Sequence, residues 1–215
     1  MNSKLCRVTR GQTMRRLVPA VILAIASFQS AAIDVDRHNA LYNRGTKLIE
    51  PYVTLSDKPA ADPTSTMART QLLDGIQSLK EVTEMNPDNS AAYWFMGMAY
   101  RALEEHAKAT AAFGNAYRIN PKQPDFAREY AYSCMCSGET KKAVEVAQSV
   151  SLQHPIDAGM MANLGLAFLA DGQLDKARSV TKKALDLDPS DGVTQRLLKE
   201  IDAVSNGKKA SRYCH

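Results

Sequence analysis

The chain has 215 residues, 45% of them hydrophobic and 23% charged, enough apolar material to bury a core in one or two domains. Its formal net charge of +4 invites a nucleic-acid reading, but the excess is local. Residues 1–32 hold five basic groups (Lys4, Arg7, Arg10, Arg15, Arg16) and no acidic one, which leaves 22 basic against 23 acidic groups in the rest, too even a balance for a phosphate-binding footprint.

The first 32 residues read as an export signal. A basic stretch precedes the apolar run Leu17–Phe28, and Ser30, Ala31 and Ala32 supply the small residues a signal peptidase reads. The run of 12 residues contains Pro19, and it is short of the ~20 needed to cross a bilayer. Met14 is a natural alternative start, and an uncleaved anchor is the alternative to a cleaved signal. The expected location is outside the cytoplasm: periplasmic in a Gram-negative cell, otherwise secreted or membrane-anchored.

From Asp34 to about Pro51 a first helix is expected, with Leu41, Tyr42, Gly45, Leu48 and Ile49 on one face. Tyr52–Thr66, with Pro59 and Pro63, reads as a loop. Asp62-Pro63 is expected to start the next helix, with Asp as N-cap and Pro in the first turn. Leu72, Leu73, Ile76, Leu79 and Val82 form that helix's apolar side, and Pro87 ends it. The two helices make an irregular first unit, 34–89.

A strict period follows. Pro87, Pro121, Pro155 and Pro189 are spaced 34 apart, as are Ala109, Ala143 and Ala177, and Gly97, Ala131 and Gly165. Each period reads as two antiparallel helices: small residues allow close approach, larger neighbours fill the space around them, and the proline stops the second helix. The units are 90–123, 124–157 and 158–191. Gly138 and Gly172 sit where the first helix turns back, a natural left-handed stop. The second unit has Glu104 there, which predicts a different or slightly strained turn. Residues 191–204 carry Val193, Leu197, Leu198, Ile201 and Val204 on one side and read as a capping helix. The tail 205–215 is polar.

Within 90–123, Tyr93, Met96, Gly97, Tyr100, Ala109, Phe113, Ala116 and Pro121 stand at the positions of the tetratricopeptide signature, which has this period. The chain therefore resembles tetratricopeptide repeat (TPR) proteins. The resemblance implies an all-α, right-handed solenoid of helix pairs. It also implies that partners bind along a concave face lined by the first helix of each repeat.

On this sequence, the stripe beside the packing residues of the first helices is Trp94, Met98 and Arg101; then Arg128, Tyr132 and Met135; then Ala162, Leu166 and Leu169. Mostly apolar with two arginines, it suits an amphipathic or extended peptide with apolar anchors and a few acidic residues. The bland alternative is that the first helix or a second copy of the chain covers this stripe.

Nothing points to catalysis. No nucleophile elbow, phosphate loop or HExxH run is present, and no cofactor or metal is expected. Cys134 and Cys136, at i and i+2 of a helix, point to different faces and suit neither a mutual disulfide nor a chelate. Cys214 at the tail is the cysteine best placed for disulfide chemistry after export. The expected protein is a non-enzymatic adaptor for a protein or peptide partner. The alternative is a membrane-anchored structural subunit of an envelope, pilus or secretion assembly.

Overall fold

The computed structural model describes residues 34–53 and 60–209; the export signal and the residues beyond Lys209 lie outside it. The described residues form α1 (Val35–Ile49), extended by a short 3₁₀ turn to Tyr52, then α2 (Thr66–Met85), α3 (Ser90–Ala102), α4 (His106–Ile119), α5 (Pro124–Cys136), α6 (Thr140–Gln153), α7 (Ala158–Ala170), α8 (Leu174–Leu187) and α9 (Gly192–Ser205). No strand occurs among them. Consecutive helices pack as antiparallel pairs, α1 with α2 through α7 with α8, and α9 closes the stack against α8.

Local chemistry sets these boundaries. Asn89 caps α3 by accepting from the Ala92 N–H at 2.9 Å, and Asp157 caps α7 by accepting from Met160 N–H at 2.9 Å. Pro87, Pro121, Pro155 and Pro189 each follow the cap residue that ends α2, α4, α6 and α8. The α3–α4 turn does place Glu104 at positive φ, 61°, where the equivalent Gly138 and Gly172 sit at 79° and 75°. An L side chain pays a steric penalty there that glycine does not.

One expected boundary moves. α2 begins at Thr66 rather than at Asp62-Pro63, capped by Ser65 Oγ, which accepts from the Ala68 N–H at 3.1 Å. The Asp62 carboxylate is engaged earlier, accepting from Thr64 N–H at 2.8 Å. That bond folds residues 62–64 into a local turn and delays the helix.

The irregular first unit is a genuine helix pair. A Cβ at Gly45 would lie 2.7 Å from Leu79 Cγ, and one at Gly75 only 3.0 Å from the Gly45 carbonyl, so the two glycines let α1 and α2 touch backbone to backbone. Gly97 plays this part between α3 and α4. A Cβ there would lie 2.7 Å from two ring carbons of Phe113, which is fully buried. Gly97→Ala gains up to ~1 kcal/mol of helix propensity but forces the ring aside, at about 1–3 kcal/mol. A thermal melt followed by circular dichroism is expected to drop by roughly 4 °C; an unchanged or raised Tm would show that the α3–α4 contact has slack.

Two apolar clusters fill the stack. One runs from Ile49 through Leu72 and Met96 to Phe113 across α1–α4; the other runs from Ala127 through Val146 and Phe168 to Ile201 across α5–α9. Tyr130 packs against both. The first helices of successive pairs meet side by side, α1 with α3, α5 with α7 and α7 with α9. They form the inner face on which the candidate stripe lies.

Candidate functional site

The inner face carries three shallow cavities that share walls. The first, about 390 Å³, is lined by Tyr52, Val53, Pro63, Met98, Arg101 and Tyr132, among others. The second, about 210 Å³, takes over Arg101 and Tyr132 and adds Arg128, Glu129, Met135 and Leu166. The third, about 300 Å³, continues from Leu166 and Asn163 to Val193 and Leu197 of α9. Together they make one groove across α3, α5, α7 and α9.

The candidate residues divide along it. Tyr132, Met135 and Leu166 are half-buried and line the groove. Ala162 lines its α9 end. Met98 and Leu169 are not open as the stripe implied: they are 3% and 4% exposed. Met98 is floor at the first cavity, whereas Leu169 belongs to the core cluster of α5–α9. Trp94 is also structural in its contacts. Its ring stands edge-on to Phe95 at 5.1 Å and lies 6.4 Å from Phe126, and its buried Nε1–H meets no acceptor among the described residues. Tyr52, Val53 and Pro63 come from the insertion of the irregular first unit, so the expected covering of the stripe by that unit holds at the α3 end.

Both arginines have carboxylate partners within the chain. Arg101 Nη1 bridges to Glu129 Oε2, and Arg101 Nη2 donates to the Met98 thioether at 2.9 Å. The Arg101 guanidinium also lies over the Tyr132 ring, 6.0 Å from its centroid. Arg128 pairs with Asp125 at 2.8 Å and with the other Glu129 oxygen at 3.4 Å. Glu129 thus joins the two guanidiniums, with its side chain 12% exposed. A group of this kind neutralises the groove from within.

Glu129 and Asn163 lie on the stripe one residue further on, in register with Phe95 at a spacing of 34. Continuing the original stripe by the same spacing from Ala162 and Leu166 gives Arg196 and Glu200, which do line the third cavity. The capping helix is therefore also a wall of the groove.

Cys134 is a free, fully buried thiol. Burial, helped by the charge of Glu139, pushes it up to about 11. Such a thiol is a poor nucleophile or ligand at neutral pH. Among the described residues no three His, Cys, Asp or Glu groups come together as a metal site.

Comparison with known proteins agrees with this architecture. A family model described as YpiA-like, C-terminal tetratricopeptide repeats matches residues 91–157, and a second, described as tetratricopeptide repeat, matches 137–192. The chain is a tetratricopeptide repeat protein. Among solved structures this TPR chain is similar to MamA 41-end from Desulfovibrio magneticus RS-1, at 20% identity and a TM-score of 0.63, covering 80% of this chain and 86% of that one. It is also similar to a tetratricopeptide repeat protein from Parabacteroides merdae ATCC 43184, at 15% identity and a TM-score of 0.61, covering 80% and 62%. Identities this low show the shared solenoid and nothing finer. No curated protein matches the sequence.

Proposed function

We propose that this TPR protein is an exported, non-enzymatic adaptor that holds an apolar segment of a protein partner in the groove from Tyr132 to Leu197. The observation that carries this reading is the continuity of the groove: Leu166 and Asn163 serve two adjoining cavities, so one extended or helical segment can lie across α5, α7 and α9. Apolar side chains that would sit in it gain about 25 cal/mol per Å² buried. Because Glu129 and Asp125 already answer the two arginines, acidic residues in the partner are optional. Apolar anchors do the recognising.

The test is a peptide selection, by display, against the mature chain, with affinities then measured by fluorescence anisotropy. Leu166→Ala is expected to weaken a selected peptide by about tenfold, the scale of one well-buried anchor. Leu152→Ala, at a site 74% exposed and outside the groove lining, is expected to leave it unchanged. Equal affinity for wild type and Leu166→Ala removes the groove reading. N-terminal sequencing of the protein from its host tests the export half. A mature start at Ile33 supports a cleaved signal; retained Leu17–Phe28 moves the chain to a membrane-anchored structural subunit.

A further inference from the structure

Cys136 is disulfide-bonded, and its neighbour Cys134 is free and buried. The chain has four cysteines. Cys136 therefore has two candidate partners in the chain, Cys6 and Cys214, both outside the described residues. We propose that the partner is Cys214, so that a disulfide straps the C-terminal tail across the ends of α9 and α7 to the last residue of α5.

The geometry of one rim supports this. Cys136 ends α5, at the rim where α7 and α9 also end. The turns along it are stitched together. Thr140 Oγ1 donates to Asp171 Oδ1 at 2.6 Å, joining the α5–α6 turn to the α7–α8 turn. Arg178 donates to Asp202 and to Ser205 Oγ, each at 2.8 Å, joining the start of α8 to the end of α9. At that end Gly207 adopts φ 85° and Lys208 N–H bonds back to the Ala203 carbonyl at 3.0 Å, so the chain leaves α9 by turning at this rim. Neighbouring packed helices are about 8–10 Å apart, so Cys136 is about 20 Å away. The nine residues from Ser205 to Cys214 reach up to ~30 Å. Cys6 is a weaker candidate: it precedes the apolar run of the expected signal and would be removed with it or remain on the other side of the membrane.

A solenoid's repeats touch only their neighbours, so its ends open first. A Cys136–Cys214 bond reaches from the tail to α5, past α7 and α8, and so supplies a link that repeat stacking cannot. Its formation joins the two sulfurs, and two protons and two electrons pass to a small-molecule disulfide such as oxidised glutathione, which leaves as two thiols. Cys134, protonated and enclosed, does not compete.

The test uses the full mature chain, oxidised with glutathione, unfolded without reductant, alkylated and digested with trypsin. The expected product is residues 129–141 linked to residues 213–215, with one alkylated cysteine, Cys134. A doubly alkylated 129–141, an internal Cys134–Cys136 bond, or a link to residues 5–7 overturns the proposal. Reduction, or Cys214→Ser, is further expected to lower Tm by roughly 10 °C, the scale for a bond closing a loop of this length. Reduction that leaves the melt of wild type unmoved refutes the strap even if the peptide link is found. These readouts need no partner, so they stand or fall apart from the groove.

Discussion

Trp94→Ala is expected to destabilise the protein by about 3 kcal/mol, a fall of roughly 6–12 °C in Tm for a domain of this size. Tyr132→Ala should lose less than half of that. The sequence puts both residues on the same binding stripe, and the structure separates them. Trp94 is wedged among Phe95 and Phe126 at the seam between α3 and α5, and removing it leaves a cavity that two packed helices cannot readily collapse into. Tyr132 is a wall shared by two cavities, with its ring next to the Arg101 guanidinium. Losing it removes partner-binding surface and a cation–π contact of about 0.5–1 kcal/mol. Trp94→Phe refines the result. It keeps most of the ring area and deletes an N–H that is buried without an acceptor, so it is expected to lose under ~1 kcal/mol. Urea denaturation of the three variants decides the matter. Equal losses for Trp94→Ala and Tyr132→Ala would place both residues in the same environment and undo the distinction.

The helices were legible because one period is written three times. A landmark that recurs every 34 residues, such as Gly97, Ala131 and Gly165, fixes pairing and turn positions together. Boundaries outside the period were less legible. Asp62 and Ser65 are both good N-cap residues, and only the local bond to Thr64 shows which one the helix uses. The same contrast governs the site. Tyr132, Met135 and Leu166 follow from register alone. That Met98 lies under Tyr52 and Val53 does not, because those residues belong to an insertion with no copy elsewhere. Glu129 was hidden for the opposite reason: it has copies, but they are Phe95 and Asn163, and a repeat average erases a carboxylate that occurs once. The signal available was chemical. Two arginines on an apolar stripe require a counter-charge nearby, and Glu129 is the acid adjacent to Arg128 and within reach of Arg101.

Glu129→Ala is the change expected to alter both stability and recognition. With the carboxylate gone, Arg101 keeps only the Met98 sulfur and the aromatic rings, while its side chain is 28% exposed. Breaking one side of a buried pair costs about 3–5 kcal/mol, and access to water at Arg101 brings the expected loss to about 2 kcal/mol. Arg128 is more open and retains Asp125, so it adds little, as surface pairs do. Replacing both partners, Arg101→Met with Glu129→Met, should recover most of the loss, since an apolar pair needs no counter-charge. A double-mutant cycle measures this directly, and additive losses would show that the two residues do not act as a pair. Recognition should shift in the same experiment. Glu129→Gln leaves the side-chain shape but gives the groove an uncompensated guanidinium. Peptides carrying an acidic residue next to their apolar anchor should then bind several-fold tighter than to wild type, with the gain falling as salt is raised. If acidic peptides gain nothing, the arginines serve only to hold α3 against α5, and the groove selects by its apolar lining alone.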